Sequence, residues 1–398
     1  MAEAPRIDIL FGQPYPDARV SRTAHALAEA GYRVRVLAWD RSGRGARHTV
    51  DGKVRIEHAR VRTRGGRGWR QLPFLAATLK RHWPALRDDA PDVLHAVDLP
   101  MLAAGIGLRR LVRRPGSVRR PLLVYDAFEL YALMESHKYP APMLGAIAAA
   151  ERRLPRHADL VITPGEGRRR WFAERGIDSV VVGNWVDPPS PPPDRAAARA
   201  ELDIDADRFC IAYAGGLEPS RDIERLLHAA RRRPDDIVLI AGRGEQEPRV
   251  RAAAAELPNV RFLGWLTDPR PLLAATDCLY YALDPRHPYA AHPAPNTLYL
   301  AIAYASPLVH RGQGEIGVVA AQADIGEAFD HDASLDTAAS LDAALDRLRR
   351  PERRAEIAKA LRGLQDRYSA RRAAEALVGA YAAMLGTSAR PGAGILSP

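Results

Sequence analysis

Cysteine is almost absent: Cys210 and Cys278 are the only two in 398 residues, each inside an apolar segment. With neither a CxxC pair nor a Cys/His cluster, a disulfide framework and a structural zinc site are excluded, and both thiols are expected buried and reduced. Long apolar runs are missing too. Stretches such as Tyr139 to Ala150 fall well short of the roughly 18 apolar residues a membrane-spanning helix needs. Met1 to Leu10 lacks a basic start, an apolar region and a small-residue cleavage site, so the expected location is cytoplasmic. Lysine is scarce: only Lys53, Lys80, Lys138 and Lys359 contribute to a net charge of +10, and arginine supplies the rest. That skew has the look of coding bias. Aromatic residues make up 7% and do not alternate with the arginines, which argues against nucleic acid as a partner. The cluster Arg109, Arg110, Arg113, Arg114, Arg119 and Arg120 has two readings, a solvated surface or a peripheral contact with anionic lipid or a phosphorylated ligand. Nothing in the sequence speaks to oligomeric state.

What is present is ordinary globular material, 47% hydrophobic and 27% charged, enough for two or three domains at about 150 residues each. Apolar strand patterns at Ile7–Phe11, Arg33–Trp39, Val54–His58, Val93–Ala96, Leu122–Tyr125, Leu160–Thr163 and Val180–Val182 alternate with helical spacings. Such alternation predicts a parallel sheet covered on both faces. The pattern breaks at VDPPSPPPDR (Val186 to Arg195), a stiff proline-rich connector. It resumes with strands at Phe209–Tyr213, Ile237–Ala241, Arg261–Leu263, Cys278–Ala282 and Leu308–His310. The expected fold is α/β, with two Rossmann-like, doubly wound domains facing across a cleft. An N-terminal domain would cover 1–186, a linker 187–198, and a second domain 199–365. A C-terminal helix, 366–386, would return to the first domain ahead of a flexible tail at 387–398. In open α/β sheets ligands bind beyond the carboxyl ends of the strands.

Several blocks in order resemble the retaining GT-B glycosyltransferases of the large family four. In the first half these are PYPDARVSRTAHALAEAGYRVRVLAWDR, DVLHAVDLPMLAAG, LVYDAFELYA, ADLVITPGEG and GNWVD. In the second they are YAGGLEPSRDIERLLHAA, IAGRGE, NVRFLGW and PNTLYLAIAYASPLV. The resemblance covers roughly residues 6 to 385. It implies transfer of a sugar, with retention, from a nucleoside diphosphate donor to a small hydroxylated or amino acceptor. It also implies no metal and no separate cofactor, since basic side chains and helix dipoles hold the leaving diphosphate in this family.

The residues carry that reading in two groups. Asp17 sits in the loop after the first strand, either facing the acceptor or capping the following helix. His95, Asp98, Asp126 and Glu129 end or follow strands and are candidates to face the acceptor; the pattern does not single out which takes its proton. In the second half Gly215 and Gly216 permit close backbone approach. Arg221 occupies the place of the family's basic residue at the pyrophosphate, a task suited to a guanidinium fork. Gly242, Arg243 and Gly244 resemble the loop near the donor nucleotide. Pro295, Asn296 and Thr297 open a helix whose free N–H groups offer a phosphate seat.

The departures are equally specific. The family's histidine in the Tyr125–Tyr131 block is Phe128, its glycine-block arginine is Gly216, and its lysine is Thr297. The two signature glutamates map onto His292, near the donor sugar, and Leu300, at the donor ribose. Two alternatives to a transferase therefore stand beside it: a pseudo-glycosyltransferase acting as a binding or partner module, and a related GT-B transferase or phosphorylase.

Overall fold

The computed structural model describes residues 4–63, 68–113, 120–134, 139–330 and 339–386. Arg114, Arg119 and the tail from 387 onward lie outside them. Chain contacts divide the molecule into two units, Met1–Gly183 with Ala373–Ser397, and Asn184–Arg372.

In the first unit the order is β1 (Arg6–Phe11), α1 (Ala18–Glu29), β2 (Arg33–Asp40), β3 (His48–Asp51), β4 (Val54–Arg60) and α2 (Leu72–Asp88). Then follow β5 (Val93–Val97), α3 (Asp98–Leu111), β6 (Leu122–Asp126), α4 (Tyr131–Met134), α5 (Ala141–Arg153), β7 (Leu160–Thr163), α6 (Glu166–Ala173) and β8 (Val180–Val181). The strands form a sheet in the order β3-β4-β2-β1-β5-β6-β7-β8. Its ladders are parallel except at one edge. There β3 runs antiparallel to β4, with Asp51 opposite Val54. Gly52 and Lys53 alone separate that pair, and a two-residue connection can only return the chain antiparallel. Gly52 supplies the left-handed conformation the turn needs, at φ 58°.

The second unit runs α7 (Arg195–Glu201), β9 (Cys210–Ala214), α8 (Ile223–Arg232), β10 (Ile237–Ala241), α9 (Glu247–Glu256), β11 (Val260–Gly264), α10 (Arg270–Ala275) and β12 (Cys278–Tyr281). It continues through α11 (Asn296–Tyr304), β13 (Leu308–His310), α12 (Glu315–Ala320), β14 (Gly326–Ala328), α13 (Ala339–Arg349) and α14 (Pro351–Leu364). All its described strand pairs are parallel, in the order β11-β10-β9-β12-β13-β14.

The chain crosses between units at Gly183/Asn184 and again at Arg372/Ala373. The linker expected over 187–198 is shorter, because α7 begins at Arg195. Asp194 caps it, accepting from the N–H groups of Ala196 and Ala197 at 2.8 and 3.1 Å. Near the second crossing Asp187 accepts from the Ala370 N–H at 2.9 Å, and Trp185 meets Tyr368 edge to face. The last helix, α15 (Ala370–Leu385), places Leu377 and Tyr381 in the first unit's core with Val20, Ala24, Val93 and Val97.

Each sheet has one place where the winding reverses. In the first unit β1 pairs with β2 on one side and β5 on the other. In the second, β9 pairs with β10 and β12. Ligands of doubly wound folds bind at the carboxyl ends of strands flanking such a reversal.

Candidate functional site

At the first reversal the chain leaves β5 and enters α3 through Asp98, whose φ is +65°. This conformation is uncommon for a residue with a side chain and persists only when neighbours hold it. The neighbour is Glu129, whose backbone N–H donates to Asp98 Oδ1 at 3.1 Å. Arg168 in turn donates to the Glu129 carboxylate at 2.7 Å and to the carbonyl oxygen of Phe128. Burial, then the nearby Glu129 and Asp126, push the Asp98 carboxyl well above the usual carboxylate range. A cavity of about 340 Å³ opens beside it, lined by Phe11 and Gly12 from the end of β1 and by Val97 and Asp98.

His95 and Asp126, both expected to face an acceptor, are each buried and bonded to other side chains of the first unit. His95 sits mid-strand in β5, two residues from Val93 and Val97, so its side chain shares their core-facing side. It is fully buried; its Nδ1 lies 2.6 Å from the Tyr381 hydroxyl, and the two rings stack. Asp126 is buried as well, and Arg19 donates to both its oxygens at 2.9 and 2.6 Å while a third N–H reaches the Val182 carbonyl. Burial alone would raise the Asp126 carboxyl; Arg19 and His95 outweigh it and hold the group well below its ordinary range. Asp17 is the N-cap of α1, accepting from the Arg19 and Val20 N–H groups at 2.9 and 3.1 Å.

Sequence reasoning missed Glu151. It lies on α5 with 1% exposure and accepts from the Tyr131 and Ala132 N–H groups at 2.5 and 3.3 Å. Burial pushes its carboxyl up to about 7. Its alanine-rich surroundings carry no sequence signal. Arg109, from the basic cluster, pairs with Asp159 at 2.9 Å.

At the second reversal, Gly215 and Gly216 follow β9, and Gly242-Arg243-Gly244 follows β10. The two loops lie backbone to backbone: Leu217 N–H donates to the Arg243 carbonyl at 2.9 Å and Gln246 N–H to that of Leu217 at 2.9 Å. A Cβ at Gly242 would stand 1.9 Å from the Gly215 carbonyl oxygen, and one at Gly244 2.6 Å from Leu217. Loop packing alone thus accounts for both glycines. Gly216 is under no such constraint, its added Cβ meeting nothing closer than 3.6 Å. Arg243 is exposed and stacks over the exposed Trp265 ring at 4.4 Å.

Arg221 is partly buried among tyrosines. It donates to the Tyr281 hydroxyl and lies 5.0 Å from that ring's centre. Burial would lower its pKa, but the surrounding phenols of Tyr281, Tyr213 and Tyr289 more than reverse that effect. Its Nε is sealed from solvent with no hydrogen-bond partner, and among the described residues no carboxylate pairs with it. A desolvated cation without an anion is costly unless a ligand supplies one.

Pro295 is the N-cap of α11, and no side chain caps the helix. Asn296 is exposed, Thr297 buried and Leu300 half-buried. His292 closes the short turn Pro288–Ala291 and is half-buried. A second residue that sequence reasoning passed over is Glu315. It is 4% exposed, and its backbone N–H reaches the Pro293 carbonyl, next to His292, at 2.8 Å.

Two parallel-sheet units of this topology make the GT-B fold. Among solved structures, sucrose-phosphate synthase from Thermosynechococcus elongatus superposes with a TM-score of 0.78 at 16% identity, over 96% of this chain and all of that one. HepE from Anabaena, in complex with UDP and glucose, gives 0.66 at 16% identity over 95% and 100%. WaaG, a glycosyltransferase of lipopolysaccharide biosynthesis, gives 0.66 at 16% identity over 94% and 100%. Residues 16–185 match the glycosyl transferase 4-like domain and residues 208–345 the glycosyl transferases group 1 family. The chain belongs to the group 1 glycosyltransferases. A lipopolysaccharide core glycosyltransferase, LpsE of Rhizobium meliloti, is 34% identical over 85 residues, which is 21% of this chain and 25% of that protein.

Proposed function

We propose that this glycosyltransferase moves a sugar, with retention, from a nucleoside diphosphate donor held by the second unit to a hydroxylated or amino acceptor held by the first. The observation that carries the donor assignment is Arg221, a guanidinium drawn among tyrosines with no carboxylate of its own. A diphosphate is the anion that suits it, with the uncapped start of α11 at Asn296 and Thr297 as a second seat. HepE, bound to UDP and glucose, is a structural neighbour in keeping with this reading.

In the transfer, the bond from the anomeric carbon to the diphosphate oxygen breaks. A new bond to the acceptor oxygen or nitrogen forms on the same face, and the acceptor's proton leaves on the departing diphosphate. Stabilising that leaving group and holding the acceptor are then the protein's main contributions. No residue need act as nucleophile, so His292 and Leu300 in place of two glutamates are compatible with turnover.

Leu300 leaves the donor ribose without a carboxylate partner. Leu300→Glu is expected to tighten donor binding about tenfold or more, since a charge-assisted hydrogen bond is worth about 1.5–3 kcal/mol. Stereochemistry is read by proton NMR of the nascent sugar released from UDP-, ADP- and GDP-linked α-hexoses. An α-anomer formed first supports the proposal, and a β-anomer formed first rejects it.

A further inference from the structure

The cavity at the β1/β5 reversal has a chemical character that the family assignment does not supply. Its volume, about 340 Å³, falls at the lower end of the roughly 300–1,000 Å³ range of small-molecule sites. Leu75 of α2, Met101 of α3, and Met143 and Ile147 of α5 form its apolar walls. Tyr131 and Tyr139 stand together at one side, ring centres 6.4 Å apart. Trp39 makes a fixed wall: its indole N–H donates to the Val61 carbonyl at 2.8 Å, and Phe74 stacks beside it. Leu72 also lines the space yet is 55% exposed. It extends the apolar lining of the cavity to the protein surface.

Polar groups in the lining are few, and Asp98 supplies its one carboxyl. A sugar acceptor, with a hydroxyl on nearly every carbon, would leave most of its hydrogen-bonding groups unpaired in such a space. A molecule with an apolar body and one reactive polar group would not.

We propose that this cavity holds the apolar, ring-bearing portion of the acceptor, with the acceptor's single hydroxyl or amine placed at Asp98. The proposal rests on the assignment of the first unit to the acceptor, and it is independent of the donor site. Methionines fit rings of varied outline, so the site selects for an apolar ring more than for one particular molecule. Asp98, pinned by the Glu129 N–H, orients the reactive group.

The probe is 2-naphthol, an apolar bicycle with one hydroxyl, compared with methyl α-D-glucoside by titration calorimetry on the full chain without donor. Saturable 2-naphthol binding at least tenfold tighter than the glucoside is expected. Ala146→Trp, an exposed alanine of α5 that lines the cavity, should weaken 2-naphthol at least tenfold. If circular dichroism shows that variant unfolded, Ala103→Trp blocks the same space from α3. Absence of 2-naphthol binding, equal or tighter glucoside binding, or unchanged naphthol affinity in the folded, filled variant would each overturn the proposal. Arg221→Ala should retain 2-naphthol. If that variant also keeps its nucleotide, the donor assignment fails while the acceptor proposal stands.

Discussion

Arg19 and Arg221 are both drawn away from water, and they differ in what each one meets. Arg19 meets Asp126 across 107 residues of sequence, and the pair ties α1 to the end of β6 while Val182 and His95 complete the network. Removing one partner strands the other charge, so Asp126→Asn or Arg19→Met is expected to cost about 3–5 kcal/mol in urea unfolding. Loss below 1 kcal/mol would show that the pair is solvated. Arg6, Arg35, Arg168 and Arg199 are buried as well, so the arginine-rich composition is not wholly a surface property. None of that was legible in the sequence, because the partners are non-local and the same residue type also covers the exterior. Arg221 could be singled out only through the family resemblance, which places a basic residue shortly after the glycine-ended strand.

The elements were far easier to read than their edges. Apolar runs bounded by polar residues revealed the central strands of both sheets, since burial on both faces removes any polar position. Strand β3 was missed for the complementary reason: His48, Thr49 and Val50 are exposed, leaving no apolar signal. The start of α7 was hidden by the prolines before Asp194. Gly242 and Gly244 were read by resemblance as a loop near the donor, and the structure adds a second demand on them, close approach of backbone to backbone. Gly244→Ala should therefore destabilise the second unit by roughly 1–3 kcal/mol, through both its φ of +155° and the 2.6 Å contact. A thermal melt of wild type and variant without nucleotide reads this directly. An unchanged melting temperature would mean that the loop relaxes freely.

Across the whole molecule, buried titratable groups pull stability in opposite directions with pH. His82 and His310 are held neutral by burial, both lowered to about 4. The unfolded chain binds protons there that the native state refuses, so their contribution falls as pH drops from about 6.5 towards 4. Glu151 has the opposite sign. Raised to about 7 from 4.5, it keeps a proton in the native state, and that stability is lost as pH rises through this window. Glu151→Gln keeps an acceptor for the Tyr131 and Ala132 N–H groups without the ionisation. The variant should gain on wild type by up to roughly 3 kcal/mol between pH 4.5 and 8, read as a growing difference in melting temperature. A pH-independent difference would place Glu151 in water. No described helix is long and apolar enough to cross a membrane.

The central claim is that the second unit holds a nucleoside diphosphate through Arg221. Isothermal titration of UDP, ADP, GDP and TDP into wild type and Arg221→Ala tests it most directly. At least one diphosphate should bind wild type, and the variant should lose about ten- to a hundredfold of that affinity, the equivalent of a charge-assisted contact worth about 1.5–3 kcal/mol. Equal affinity in the two proteins, or no binding of any diphosphate at millimolar concentration, would contradict it.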